Sequence, residues 1–250
     1  MPRLEPVSLD AFVVSAGFVG ETAFFALGDG RIGLRADGSL DLRPVHDGGL
    51  LVARMSADGR AMLSAGDDGR VMRTSLAEES EVLFEKPGKW IDQLAEGPQG
   101  AIACASGRMA WVRLADGKVV EFPHDKGVGG LAFLPKGLRL ATATTDMARL
   151  LWVSAAGAPV DMPWKGADTG ITVSPDGKFL VTQMQEPALH GWRLDDMKHM
   201  RMTGYPTKVK SISWSAKGRF LASSGANAAI LWPFFTKDGP MGKEIGRAHV

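Results

Sequence analysis

Residues 124 to 152 read HDKGVGGLAFLPKGLRLATATTDMARLLW. His124 opens the stretch. Val128, Leu131 and Phe133 follow at alternating or near-alternating spacing, as in a strand with one face buried. Pro135-Lys136-Gly137 is a turn signal. Leu138-Arg139-Leu140-Ala141-Thr142 alternates again, Asp146 falls in the next turn, and a third strand ends on Trp152. Whether this unit recurs decides the fold.

It recurs. The glycine that ends the first turn has counterparts at Gly20, Gly59, Gly100, Gly137, Gly177 and Gly218, in steps of 39, 41, 37, 40 and 41 residues. Trp111, Trp152, Trp192 and Trp232 give an independent ruler, with steps of 41, 40 and 40. Six units result: 7–35, 46–74, 87–111, 124–152, 164–192 and 205–232. The third has a hairpin, ASGRMAW, about four residues shorter than its siblings. Each unit holds three short strands, and a fourth lies in the connection, as at Lys118-Val119-Val120-Glu121-Phe122. Four strands per ~40 residues is the period of a propeller blade. No segment keeps a capped helical period; Lys198 to Met202 is short enough for a helical turn at most. Dense Asp-Gly and Pro-x-Gly signals fit an all-β fold built of hairpins.

The units resemble the WD-repeat β-propeller family. His46, His124 and Trp164 take the opening-histidine position, each 28 residues from the closing one. Ser174-Pro175-Asp176-Gly177 is that family's turn in full. Asp29, Asp68, Asp146, Glu186 and Asn227 take the hairpin-acid position, and Trp111, Trp152, Trp192 and Trp232 close units. The resemblance covers about residues 7 to 235. It implies four-stranded antiparallel blades, six present of seven, so residues 1–244 read as an incomplete propeller, a truncated fragment, with Leu4 to Leu9 as the ring-closing strand. It also implies a network of His, Ser or Thr, Asp and Trp side chains within a blade. His124, Thr142, Asp146 and Trp152 supply all four types; His46, Ser64 and Asp68 supply three, with Thr74 at the closing position. Register across the chain makes these sets architectural rather than catalytic. Residues 245–250, IGRAHV, resemble no further unit and match one translation frame of a short-read sequencing adaptor. They are read as a non-native tail, against an ordinary frayed terminus.

Composition narrows the function. With 29 basic and 28 acidic residues the formal charge is +1, without the basic excess of a broad nucleic-acid surface. Cys104 is the only cysteine, which rules out an internal disulfide and favours a reducing compartment. No apolar run reaches the ~18 residues of a membrane helix. These features predict a cytoplasmic protein with neither nucleic acid nor membrane as partner.

Chemistry-bearing motifs are sparse. Gly28-Asp29-Gly30-Arg31-Ile32-Gly33 fits G-x-G-x-x-G, but it reads as a hairpin, whereas pyrophosphate binding needs a helix N-terminus after the motif. His46, His124, His190, His199 and His249 show no zinc spacing with Cys104 or carboxylates, so no metal or cofactor is expected. Cys104 lies in an apolar strand as a core residue. His190 lies on a strand as a packing or surface residue. Asp67-Asp68, Glu78-Glu79 and Asp195-Asp196 read as solvated turn charge. Lys198, His199, Arg201, Lys208 and Lys210 form a basic cluster, read as a solvated loop or a local anionic contact. Trp90, Trp164 and Tyr205 stand near unit starts, as protein contacts or as packing between blades; Trp and Tyr are the residues that anchor interfaces. The reading that follows is a non-catalytic interaction scaffold with an unidentified protein partner, its intact parent monomeric or part of a hetero-complex. The alternative is a hydrolase-like propeller enzyme or small-molecule binder using the central channel.

Overall fold

A computed structural model describes residues 6–77, 79–240 and the backbone of 246–248. Two compact units divide the chain: Met1–Leu94 with Cys104–Ser106, and Ala95–Ala103 with Gly107–Val250.

The first unit contains two four-stranded antiparallel meanders. One is formed by β1 (Val13–Val19), β2 (Thr22–Leu27), β3 (Arg31–Ala36) and β4 (Ser39–Pro44), the other by β5 (Leu50–Met55), β6 (Met62–Gly66), β7 (Arg70–Thr74) and β8 (Glu81–Glu85). The alternation read from sequence buries Phe24, Ala26, Ile32, Leu50 and Met62 in one core. The next sheet comprises β9 (Gln93–Glu96), β10 (Ile102–Ser106), β11 (Met109–Arg113) and β12 (Val119–Pro123).

In the second unit follow β13 (Gly130–Phe133), β14 (Arg139–Trp152), β15 (Val160–Val173), β16 (Phe179–Met184), β17 (Leu189–Arg193) and β18 (His199–Met202), in one six-stranded sheet. The last sheet holds β19 (Ile212–Trp214), β20 (Phe220–Ser223), β21 (Ala229–Pro233) and β22 (Gly246–Ala248). The described residues thus form five sheets where the sequence predicts six blades. The units 124–152 and 164–192 merge because β15 runs through both without a turn. Its residues 160–163 pair back to β14, and its residues 168–173 pair forward to β16. Within β14 the chain still reverses at Asp146 (φ 65°), since the Val153 amide donates to the Leu138 carbonyl at 3.3 Å.

The close approach of β13 to β15 depends on Gly129 and Gly130. A Cβ on Gly129 would stand 2.1 Å from the Asp168 carbonyl oxygen, and one on Gly130 2.8 Å from the Ile171 nitrogen. Both neighbours are backbone, so neither position has room for a side chain. Two apolar clusters fill this unit. One gathers Leu134, Ala141, Leu150, Leu180 and Trp192; the other gathers Phe179, Leu189, Met202, Leu221, Trp232 and Phe234.

The glycine ruler has a conformational cause. All six glycines that define it have φ between +59° and +74°, a region L side chains avoid. In the serine-led turns one hydroxyl ties the loop. Ser174 Oγ donates to Asp176 at 2.6 Å and accepts the Phe179 amide at 2.9 Å; Ser56 repeats this with Asp58 and Ala61. In the second unit successive turns also touch. The position of a Gly177 Cβ is 3.1 Å from Pro135, and that of a Gly218 Cβ is 3.2 Å from Pro175.

Gly28 to Gly30 form the β2–β3 hairpin and no helix follows them. His199–Met202 is strand β18, not a helical turn, because it pairs with Leu189–Trp192. Of the tail set apart in sequence, Gly246–Ala248 forms β22 and pairs with Ala229–Leu231. Such pairing uses main-chain groups alone, so it needs no repeat signature. Ile245, His249 and Val250 lie outside the described residues, as do Leu4, Glu5 and Glu78. Residues 6–9 of the expected closing strand form no strand.

Candidate functional site

The predicted polar network assembles in the unit 46–74. His46 Nδ1–H donates to the Asp68 carboxylate at 3.1 Å, and His46 Nε2 accepts the Ser64 hydroxyl at 2.9 Å. The Asp68 carboxylate also accepts the amides of Arg70 and Asp47. Burial pushes the Asp68 carboxyl up, but the Arg70 amide and the His46 ring outweigh it and hold it below the usual range. Ser64 is inaccessible, and the His46 and Asp68 side chains are 0% and 7% exposed. A Ser-His-Asp set this enclosed satisfies buried polar atoms; no substrate carbonyl reaches the serine oxygen.

The unit 124–152, richest in network residue types, assembles less of it. His124 Nε2 accepts the Thr142 hydroxyl at 3.0 Å, but Nδ1–H donates to the Phe122 carbonyl instead of Asp146. Asp146 turns to Lys126 Nζ at 2.8 Å and to the Gly166 amide at 2.9 Å. Trp152, expected as a packed closing residue, is 38% exposed and lies under the Arg139 guanidinium, 5.2 Å away. The four-membered network is therefore corrected to one His–Thr pair. Residue type set the expectation; the choice of the Phe122 carbonyl by His124 breaks it. Burial, with the Arg149 charge also opposing protonation, lowers the His124 pKa. A cavity of about 140 Å³ opens beside these groups; of its charged lining, Lys126 is paired with Asp146 and Arg149 with Asp161.

For Tyr205, left between protein contact and packing, the structure favours packing. Tyr205 is 8% exposed, its hydroxyl lies 2.6 Å from Ser223 Oγ, and the Trp232 indole N–H donates to both oxygens. It fills the opening-histidine position with a phenol. Trp164 is half-buried and stacks on His190, so packing accounts for it. Trp90 alone of the three candidate contacts stands free, at 68% exposure. Trp111, Trp192 and Trp232 are buried as expected. Cys104 is buried, which pushes its thiol up to about 12. Among the described residues no group of three His, Cys, Asp or Glu is placed to hold a metal ion. No helix among them is long and apolar enough to cross a membrane; this says nothing of strands.

One surface was not anticipated. A groove of about 510 Å³ lies between the turns 174–177 and 215–218, over Phe179 and Phe234, with Lys217, Arg219, Phe235 and Lys237 along it. The basic cluster read from sequence was instead Lys198, His199, Arg201, Lys208 and Lys210, as a solvated loop or a local anionic contact. Lys198 lies 3.5 Å from Asp238, and Lys208 donates to Gln185. The signal that finds the groove is register: Phe220 faces Pro233, so cations at 217, 219 and 237 converge across one hairpin end.

Successive antiparallel meanders with left-handed glycine turns and enclosed polar networks define an all-β propeller built from four-stranded blades. Residues 198–232 match the family model "WD domain, G-beta repeat". That span joins β18, the Tyr205 network and β19 to β21, and with the sheet arrangement it supports a WD-repeat propeller. Comparison with curated proteins finds no match.

Proposed function

We propose that this chain is a non-catalytic protein–protein interaction scaffold, working in the cytoplasm. The observation that carries the reading is the enclosure of its His–Ser–Asp set. Groups able to do nucleophilic chemistry are consumed inside a blade, while large contact-forming side chains stand outside. Trp90 is the foremost of these, and burying an exposed indole at an interface is a frequent source of binding energy. Repeated blades present their loops on a rigid support, which suits recognition by several loops at once.

The test is co-purification of the tagged chain from its native extract, followed by size-exclusion chromatography. A partner at fixed stoichiometry, reduced by Trp90→Ala and retained by His46→Gln, is the expected result. Hydrolytic turnover of ester or phosphate substrates, abolished by His46→Gln, would overturn the reading.

A further inference from the structure

Resting on the scaffold reading, we propose that the groove between the turns 174–177 and 215–218 binds an acidic peptide segment of the partner. Charge complementarity carries the inference. Five cations and two carboxylates line the groove. Two of the cations are neutralised in place. Arg193 is held by Asp195, Asp196 and Asp238, and Lys178 lies 3.4 Å from Asp176. Among the described residues no carboxylate pairs with Lys217, Arg219 or Lys237. Three unspent positive charges therefore face one concavity, in a chain whose net charge is only +1.

The groove is also partly apolar. Phe235 is 50% exposed, with the Arg219 guanidinium 5.6 Å from its ring and Phe220 edge-on at 5.6 Å. Phe179 and Phe234 meet edge to face beneath it. A segment with acidic residues flanking a large apolar one would place carboxylates on Lys217, Arg219 and Lys237 and its apolar side chain on Phe235. A polynucleotide fits less well. Asp195 sits on the same lining and, with Asp196 and Asp238 around the single Arg193, leaves an excess of carboxylate that would repel a continuous phosphate backbone, whereas a peptide can place neutral or basic residues there. Rigid support is present: the Arg193 fork reaches the Lys237 carbonyl and Asp238, fixing the 236–238 turn against β17.

The experiment is fluorescence anisotropy on the full chain with three labelled probes. These are a ten-residue peptide alternating glutamate with leucine and phenylalanine, its glutamine counterpart, and an oligouridylate of equal charge. The glutamate peptide is expected to bind at least tenfold more tightly than either of the others. Lys217→Glu with Arg219→Glu should weaken it at least tenfold, and Lys217→Gln with Arg219→Gln should fall between. Reversal of exposed Arg108 and Lys118, far along the chain from the groove, should leave it unchanged, with circular dichroism confirming that every variant is folded. Absence of glutamate-peptide binding up to millimolar concentration, tighter binding of the oligouridylate, or indifference to the 217/219 reversal would overturn the proposal. The two readings fail separately. A stoichiometric partner retained equally by the reversed chain sinks the groove and leaves the scaffold. Peptide binding without any stoichiometric partner does the opposite.

Discussion

Trp164 lies flat on His190, with ring centroids 3.7 Å apart and planes 15° from parallel. Trp164 stands where the units 46–74 and 124–152 have a histidine, and β17, two strands along the same sheet, brings His190 against it. His190 meets Trp192 edge-on at 4.5 Å and has His199 at 5.4 Å. It is wholly buried, and neither ring nitrogen has a hydrogen-bond partner. The ring is thus an aromatic packing element, kept neutral.

That neutrality has a pH signature. Burial, with the charges of His199 and Arg201, pushes the His190 pKa down to about 3, against ~6.5 in an unfolded chain. Because the folded value is depressed, the unfolded chain binds the extra proton first. The stabilisation is complete above pH ~6.5 and is lost as pH falls towards 3, by up to ~1.4 kcal/mol per pH unit. His190→Phe keeps the stack and removes the titration. Urea unfolding from pH 7 to 4 should show the variant gaining on the parent at each step down, and parallel curves would disprove the assignment.

Asp168 predicts the opposite slope. It is 6% exposed, and burial, joined by the Glu186 and Asp146 charges and only partly opposed by the Thr182 hydroxyl, raises its pKa to about 7. A raised folded value means stabilisation that is full below ~3.9 and is lost as pH rises through 7. Asp168→Asn should therefore gain stability relative to the parent between pH 4 and 8. Between about 4 and 6.5 the two groups offset each other, so the parent should be flatter there than either variant. The check is the same urea series run on all three proteins.

The phenol of Tyr205 is shared by Ser223 and Trp232. Tyr205→Phe leaves those buried groups with one partner fewer and should destabilise the fold by ~1–3 kcal/mol. Tyr205→Phe combined with Ser223→Ala should cost less than the sum of the two, by ~0.5 kcal/mol or more, because the residues share one network. Additive losses in chemical denaturation would place the hydroxyl outside that network.

Gly129→Ala drives a methyl into the Asp168 carbonyl, which is backbone and cannot rotate away. The expected cost is ~1–3 kcal/mol, as for overpacking elsewhere. Gly127→Ala is the internal control, since the nearest atom to its added Cβ is 3.8 Å away. Similar melting temperatures for the two variants would contradict the β13–β15 contact.

Much of the fold was legible because its turns constrain residue type. A glycine at positive φ every ~40 residues reports backbone geometry directly, whatever the intervening sequence does. Strand identity followed from alternation, as at Phe24, Ala26, Ile32 and Leu34. The sheet count was not legible, because Lys165 to Asp168 carries an ordinary turn composition yet the chain runs on as one strand, with Ala167 opposite Thr145 and Asp168 opposite Met184. The site was half legible. His46, Ser64 and Asp68 met as residue type and spacing implied. His124 did not meet Asp146, because a backbone carbonyl, invisible to residue type, competes for Nδ1. For Tyr205 contact and packing both stayed open in the sequence for a related reason: residue type does not show whether the hydroxyl has partners. The Lys217–Arg219–Lys237 convergence needs strand register, which spacing alone does not give.

The proline-on-glycine contacts between successive turns, Pro135 with Gly177 and Pro175 with Gly218, act as an indexing rail. From the turn at Pro135 to the turn at Gly218, one end of each repeat is held in step with the next by atoms in contact. Where this rail runs, the loops at the opposite end of the strands can differ in length without changing the pitch that keeps these repeats in line.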